Sequence, residues 1–220
     1  MSSKPAIIIH LKENSQRVKS KNFLRIKSVP LYKIAFNKFI KQKNFEIYVH
    51  SSSAFFQKES KKFGFNFIKR PKNLDQPNAQ GNELLEHCMQ FLNNQIIVQF
   101  FVTNPFLKVE TIKSIISKLK SSKKINSVTG VYSIYNRGWF NNFPINHKFN
   151  KLIGTQYMKP IYIESGVYCF RRSSFLKEKS RIAKKNIFIS ISEQESFDVD
   201  TKFDFLIANS MARNIPSLID

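Results

Sequence analysis

The sequence predicts an α/β fold: a mostly parallel sheet covered by helices on both faces, with one irregular excursion late in the chain. Three observations carry this. Short apolar runs of strand length alternate with single amphipathic segments of helical spacing. Several runs are apolar throughout rather than alternating, as strands buried on both faces are. The alternation breaks once, between Tyr135 and Lys159, and then resumes.

Taken in order, AIIIHL (6–11) reads as the first buried strand. PLYKIAFNKFIKQ (30–42) spaces Leu31, Ile34, Ala35, Phe39 and Ile40 along one helix face, and Pro30 suits its first position. FEIYVHS (45–51) is a strand, SAFFQKESKKFG (53–64) a helix closed by Gly64, and FNFIK (65–69) the third strand. AQGNELLEHCMQFLN (79–93) is a helix and NQIIVQFFV (94–102) a strand. VETIKSIISKLKSS (109–122) carries Ile112, Ile115, Ile116 and Leu119 at helical spacing, and INSVTGVYSI (125–134) is again a strand. The segment 135–159 is aromatic, Asn-rich and irregular, and Trp139 with its phenylalanines reads as packing within that arm. PIYIESGVYCFRR (160–172) and NIFISIS (186–192) are strands, and TKFDFLIANSMARN (201–214) is the last helix. No repeat and no linker divides the chain, so residues 1–220 are expected to form a single domain with 135–159 as an arm.

Size and composition set the class. An apolar fraction of 42% in 220 residues supports a full core. No apolar run approaches the roughly 20 residues of a membrane span. The apolar stretch in MSSKPAIIIHLKEN is shorter than a signal-peptide core and lacks a small-residue cleavage site, so a cytoplasmic location is expected. Cys88 and Cys169 lack metal spacing and read as reduced core residues. The unusual quantity is charge: 36 Lys+Arg against 15 Asp+Glu, net +21. A polyanion partner is one reading. Lysine drift in an AT-rich genome is the other, since the cations are spread along the chain and Asn, Ile, Phe and Ser are abundant with them.

In an open parallel sheet, ligands bind beyond the carboxyl ends of the strands. Four loops fall there: LKENSQRVKSKN after the first strand, KRPKNLDQPNAQGN after the third, VTNPFLK after the fourth parallel strand, and SFDVDTKFD before the final helix. Asp198 and Asp200 are two apart, so in an extended segment both carboxylates point to one side. A hard divalent cation that also binds phosphate oxygens suits such a pair, and a solvated acidic turn is the alternative. Glu195 and Asp204 read as surface charges. Lys12, Arg17 and Lys21, with the Ser15 hydroxyl and backbone amides, suit a triphosphate, although the loop lacks the GKS or GKT of a P-loop. His10, His50, His87 and His147 show no metal spacing, and His10 and His50 read as packed or rim histidines.

Together these loops resemble the acylneuraminate cytidylyltransferases, the CMP-sialic acid synthetase family, over nearly the whole chain. The matches are Leu11–Arg17 with Lys21-Asn22 for the family's first loop, Arg70-Pro71, Thr103-Asn104-Pro105, Thr155-Gln156 with YIESGVYCF, and Asp198-Val199-Asp200 with Asp204-Phe205 to Ala208. They stand in the family's order. The resemblance implies a three-layer Rossmann-like nucleotidyltransferase fold with a protruding dimerisation arm, and a homodimer. It implies an enzyme that joins CTP to a sialic-acid-like nonulosonic acid and releases pyrophosphate. By carry-over, Lys12, Asn14, Ser15, Arg17, Lys21, Asn22 and Arg70 would bind the nucleotide. Thr103, Asn104, Gln156 and Glu164 would serve the sugar acid. Asp198 and Asp200 would hold Mg2+ and, with Lys21, act in catalysis.

The chain departs from the family at Lys12 for Arg, Glu13-Asn14 for Gly-Gly, Phe101-Val102 for Gln-Pro, Gly154 for Arg and Ser165 for Asn. Three other readings stay open: an eight-carbon, pseudaminic or legionaminic acid as acceptor, a nucleotide-binding member without turnover, and a basic nucleic-acid-binding protein. No aromatic-basic interleaving of a known nucleic-acid module supports the last, and no membrane partner is expected.

Overall fold

The computed structural model describes residues 4–13, 15, 18–215 and 217. In chain order the elements are β1 (Ala6–His10), β2 (Arg25–Ile26), β3 (Val29–Pro30), α1 (Leu31–Ile40), β4 (Glu46–Ser51), α2 (Ala54–Lys62) and β5 (Asn66–Lys69). Then come α3 (Gly81–Met89), β6 (Ile96–Phe100), α4 (Val109–Lys120), β7 (Ser127–Ile134), β8 (Trp139–Phe140) and β9 (Phe143–Pro144). The last are β10 (Ile161–Arg171), α5 (Arg172–Glu178), β11 (Asn186–Ser190), α6 (Glu193–Ser196) and α7 (Lys202–Asn214).

Seven strands form one sheet in the order β5-β4-β1-β6-β10-β7-β11. The β5, β4, β1 and β6 strands run parallel, as do β7 and β11, whereas β10 is antiparallel to both β6 and β7. The sequence pattern called for a mostly parallel sheet, and β10 is its one reversed strand.

Alternation along the strands builds three layers. Ile7 and Ile9 of β1 face one core with Phe36, Phe39, Ile112 and Ile116 of α1 and α4. Ala6 and Ile8 face the other, with Leu85, Cys88 and Met89 of α3 and Phe175 of α5. Both cysteines are buried thiols. A third, smaller core gathers Ile26, Leu31, Ile34, Phe106, Val199, Ala208 and Ala212. It ties the β2–β3 hairpin and α1 to the segment before α7.

Short elements escaped the sequence pattern. The hairpin β2–β3 turns through Lys27 and Ser28, both with positive φ and neither a glycine. The α5 helix, only seven residues long, has no counterpart in the sequence reading, which assigns no element between 172 and 186. Glu195 corrects the expectation of a surface charge. It is buried at the start of α4, where it accepts from the Lys108 amide at 2.9 Å and the Thr111 hydroxyl at 2.6 Å. Asp204 is likewise structural: it accepts from the Asp200 and Thr201 amides at 3.0 and 2.7 Å, and it forms a capping box with Thr201. The arm 135–159 contains the two-residue strands β8 and β9, and Trp139 packs edge-on against His147 and Phe149. No helix among the described residues is long and apolar enough to cross a membrane.

The β10 strand bulges between Glu164 and Tyr168. Gly166 sits there at φ +56°, and a Cβ on it would lie 1.7 Å from Asn104 Oδ1. Gly64 has a similar φ of +70° with nothing within 4 Å. Gly166→Ala is therefore expected to cost roughly 2–4 kcal/mol in urea denaturation, against roughly 1 for Gly64→Ala. Equal losses would show that the close approach to Asn104 carries no energy.

Candidate functional site

The strand order reverses between β1 and β6, and a cleft of about 540 Å³ opens at their carboxyl ends. Each wall is placed by a separate piece of packing.

The loop after β1 supplies Lys12, Ser15, Lys21 and Asn22 to the cleft. It is anchored by two apolar residues. Val18 is buried. Phe23 packs on Tyr32 and Phe56, with ring centroids 5.8 and 5.5 Å away. Between them Ser20 takes a left-handed conformation and starts a single 3-10 turn, Lys21–Phe23. That turn buries Lys21 and Asn22 at the cleft's edge. The Asn22 side-chain amide donates to the Lys12 carbonyl at 2.6 Å, closing the loop on itself. Lys12 lines the cleft but reaches across it, donating from Nζ to the Asp75 and Gln76 carbonyls at 3.1 and 3.5 Å. Burial and the neighbouring Arg70 guanidinium lower its pKa. Glu13 turns away from the cleft and accepts a hydrogen bond from Ser53, the N-cap of α2. A negative charge there is favoured by the helix dipole and kept from the cationic wall. Asn14 and Arg17, also expected to bind the nucleotide, lie outside the described residues.

The carboxylate pair comes from the other end of the chain. Val199 is fully buried in the third core, and its amide donates to the Thr103 carbonyl at 2.8 Å. With Val199 turned inward, Asp198 and Asp200 both line the cleft, as their spacing implied. Lys21 Nζ donates to Asp200 Oδ1 at 2.7 Å, so the first and last loops meet in one ion pair. The two carboxylates offer hard oxygen donors beside a cationic loop. That donor set fits a divalent cation shared with phosphate oxygens.

Arg70, after β5, is almost fully buried yet lines the cleft. It donates to the Leu11 carbonyl and pairs through Nε with Asp75 Oδ1 at 2.8 Å. Its Nη1 is buried without a hydrogen-bond partner. Beneath it lies a polar floor. His10 and His50 approach through their Nδ1 atoms at 2.9 Å, and His50 stacks on His87 at 5.2 Å between centroids. His10, His50 and Cys88 bring three donor atoms within 4.8 Å of one another. Burial raises the Cys88 thiol well above its usual range. The Arg70 cation also stands near, so the group behaves as a neutral packed floor.

The far wall carries Phe101, Val102, Thr103, Glu164, Tyr168 and Arg181. Thr103 and Glu164 are where the sequence placed them. Asn104 is not: it is fully buried, and its side-chain amide donates to the Ser196 and Phe197 carbonyls at 3.3 and 3.2 Å. It braces the segment that leads to Asp198 rather than facing a ligand. Gln156 does not line this cleft. It sits exposed on the arm, in the 3-10 turn Thr155–Tyr157, with its side chain against Gly154. His10 stands at the rim, one of the two places the sequence offered for it, whereas Tyr168 and Arg181 were missed as cleft residues. Tyr168 lay within the quoted YIESGVYCF, whereas Arg181 stands in an irregular segment with no motif around it.

Comparison with known proteins identifies the family and the fold. Residues 6–207 match the family model described as Cytidylyltransferase. An N-acylneuraminate cytidylyltransferase of Streptococcus agalactiae serotype III is 23% identical over 214 residues, which is 92% of this chain and 52% of the relative. The serotype V protein of that name is 22% identical over the same extent. The chain thus spans about half the length of the curated relatives it matches. Among solved structures, CMP:2-keto-3-deoxy-manno-octonic acid synthetase complexed with CTP superposes with a TM-score of 0.72 at 14% identity, covering 97% of this chain and 100% of that one. The 4-diphosphocytidyl-2C-methyl-D-erythritol synthase of Anaerococcus prevotii gives 0.69 at 10% identity, covering 96% and 99%. These two likenesses are of fold. The chain belongs to the cytidylyltransferase family.

The histidine floor generates a pH prediction. Burial, aided by Arg70, lowers the pKa of His10 to about 3, and burial with its neighbours lowers that of His50 to about 2. Both are released to about 6.5 on unfolding. Above pH 6.5 neither state is protonated and their contribution is fully present. As pH falls toward 3 only the unfolded chain takes up protons, so stability declines. Between about pH 7 and pH 5 the wild type is expected to lose roughly 1–2 kcal/mol more than His50→Asn in chemical denaturation. Parallel losses in the two proteins would refute this role.

Proposed function

We propose that this cytidylyltransferase-family chain transfers CMP from CTP to the anomeric hydroxyl of a sialic-acid-like nonulosonic acid, releasing pyrophosphate. The observation that carries the proposal is the meeting of a cationic loop with an aspartate pair in one cleft, through Lys21 and Asp200 at 2.7 Å. The name of the Streptococcus relatives, N-acylneuraminate cytidylyltransferase, supports the acceptor class. The neighbour that is a synthetase for an eight-carbon keto-sugar acid supports the broader class of 2-keto sugar acids, pseudaminic and legionaminic acids included.

In this reading Lys12, Ser15 and Lys21 hold the triphosphate. Asn22 and Arg70 hold the cytidine, and the unpartnered Arg70 Nη1 supplies a donor for it. The acceptor hydroxyl attacks the α-phosphorus in line; its oxygen–phosphorus bond forms while the bond to the β-phosphate oxygen breaks, pyrophosphate leaves with that bond's electron pair, and the hydroxyl proton passes to water. Lys21, fixed by its turn, keeps positive charge beside the phosphates without reorganising. Asp198 and Asp200 would hold Mg2+, whose bound charge would neutralise phosphate oxygens and favour the attacking hydroxyl. The segment works as a single catalytic unit, and its arm joins two copies in a homodimer. Phe140, Phe143 and Tyr157 on that arm are 69%, 71% and 76% exposed, more apolar surface than an isolated loop retains.

The first test is pyrophosphate release from CTP and Mg2+ with a panel of sialic, pseudaminic, legionaminic and eight-carbon keto-sugar acids. One acid is expected to react, chelation is expected to stop it, and Asp200→Ala is expected to lose roughly 10²–10³ of the rate. Binding of CTP without release from any acid would leave a nucleotide-binding protein instead. Light scattering tests the assembly: the wild type is expected as a dimer and Phe140→Glu/Phe143→Glu as a monomer. A monomeric wild type would remove the arm's assigned role.

A further inference from the structure

One fixed cation in the cleft stands apart from the residues assigned above to the nucleotide. Arg181 lies in the segment between α5 and β11, outside every loop that supplies the triphosphate site. Three contacts fix it. Its guanidinium carbon is 3.7 Å from the centroid of the Tyr168 ring. Nη1 donates to Gln99 Oε1 at 2.9 Å, and the Arg181 amide donates to Asn82 Oδ1 at 3.3 Å. Gly81 makes the room, because a Cβ there would lie 2.8 Å from Nη1.

Every one of these partners is neutral. Among the described residues no carboxylate lies within ion-pair distance of Arg181. Glu164, which shares the wall, is engaged by the Tyr168 hydroxyl. Phe101 flanks the guanidinium at 5.9 Å. A planar cation, pre-organised by neutral groups beside an apolar ring and in no ion pair among the described residues, is built to receive an anion. The guanidinium shape favours a carboxylate. The proposed reaction has two anionic reactants, and the triphosphate already has Lys12 and Lys21.

We propose that Arg181 is a specificity-determining residue that binds the carboxylate of the sugar acid and so selects acids over neutral sugars. This inference rests on the cytidylyl-transfer reading above. It also gives Tyr168 a task, as the ring on which the guanidinium is stacked.

The test uses the full chain, the acid from the panel that the wild type turns over, and the methyl ester of that acid. Wild type, Arg181→Gln and Arg181→Lys are compared by KM for each acceptor and by equilibrium CTP binding. Arg181→Gln is expected to raise KM for the acid about 10–100-fold, leave KM for the ester unchanged, and keep CTP affinity within about twofold. Arg181→Lys is expected to fall between, since it keeps charge without the fork. An unchanged preference for acid over ester in Arg181→Gln, or CTP binding that weakens in step, would overturn this inference alone. A wild type that turns over no acid would overturn the transfer reading and this inference with it.

Discussion

The burial of Val199 is the constraint from which the carboxylate rim of the cleft follows. One apolar side chain enters a small core made by the β2–β3 hairpin, α1 and α7. Its amide is tied to the loop after β6 through Thr103. In an extended segment that inward direction forces the residues on either side outward. Asp198 and Asp200 therefore face the cleft without depending on a bound ligand to aim them. Burying a valine is worth roughly 1.5–3 kcal/mol, comparable to what two neighbouring carboxylates resist. Lys21 closes the circuit across 179 positions of sequence separation.

Charge is sorted over short distances. Glu13 lies in the cationic loop yet faces the start of α2, so the loop keeps its positive side clean. Arg70 is pinned by the Leu11 carbonyl and Asp75 and spares one nitrogen. The histidines below it stay neutral because burial and that same guanidinium oppose their protonation. The net charge of +21 says little about this. What matters is which few cations are immobilised, and at this rim these are residues held by backbone carbonyls, rings and turns.

Much of the architecture was legible because apolar runs and helical spacing are local signals. The loops at the strand ends were legible for the same reason, as was the Asp-x-Asp geometry, which needs only an extended backbone. Direction was harder to read. Asn104 lies in a recognisable tripeptide, but whether its amide meets a ligand or the Ser196 and Phe197 carbonyls depends on a segment more than ninety residues away. Glu195 looked like surface charge because its partners are an amide and a hydroxyl at the start of another helix. Arg181 is one of 36 basic residues in an irregular stretch. Only the convergence of α3, β6 and β10 distinguishes it.

The reversed direction of β10 has a mechanical side. Every parallel strand enters the rim from the body of the sheet, but β10 enters it from the arm. Ile161, where the strand begins, and Glu164, at the cleft, are three residues apart, about 10 Å along an extended chain. The strand is then clamped on both edges by β6 and β7. Root and wall are thus two points on one stiff beam. Between the arm and the far wall of the cleft there is only paired strand, so a displacement of the arm is carried directly to Glu164.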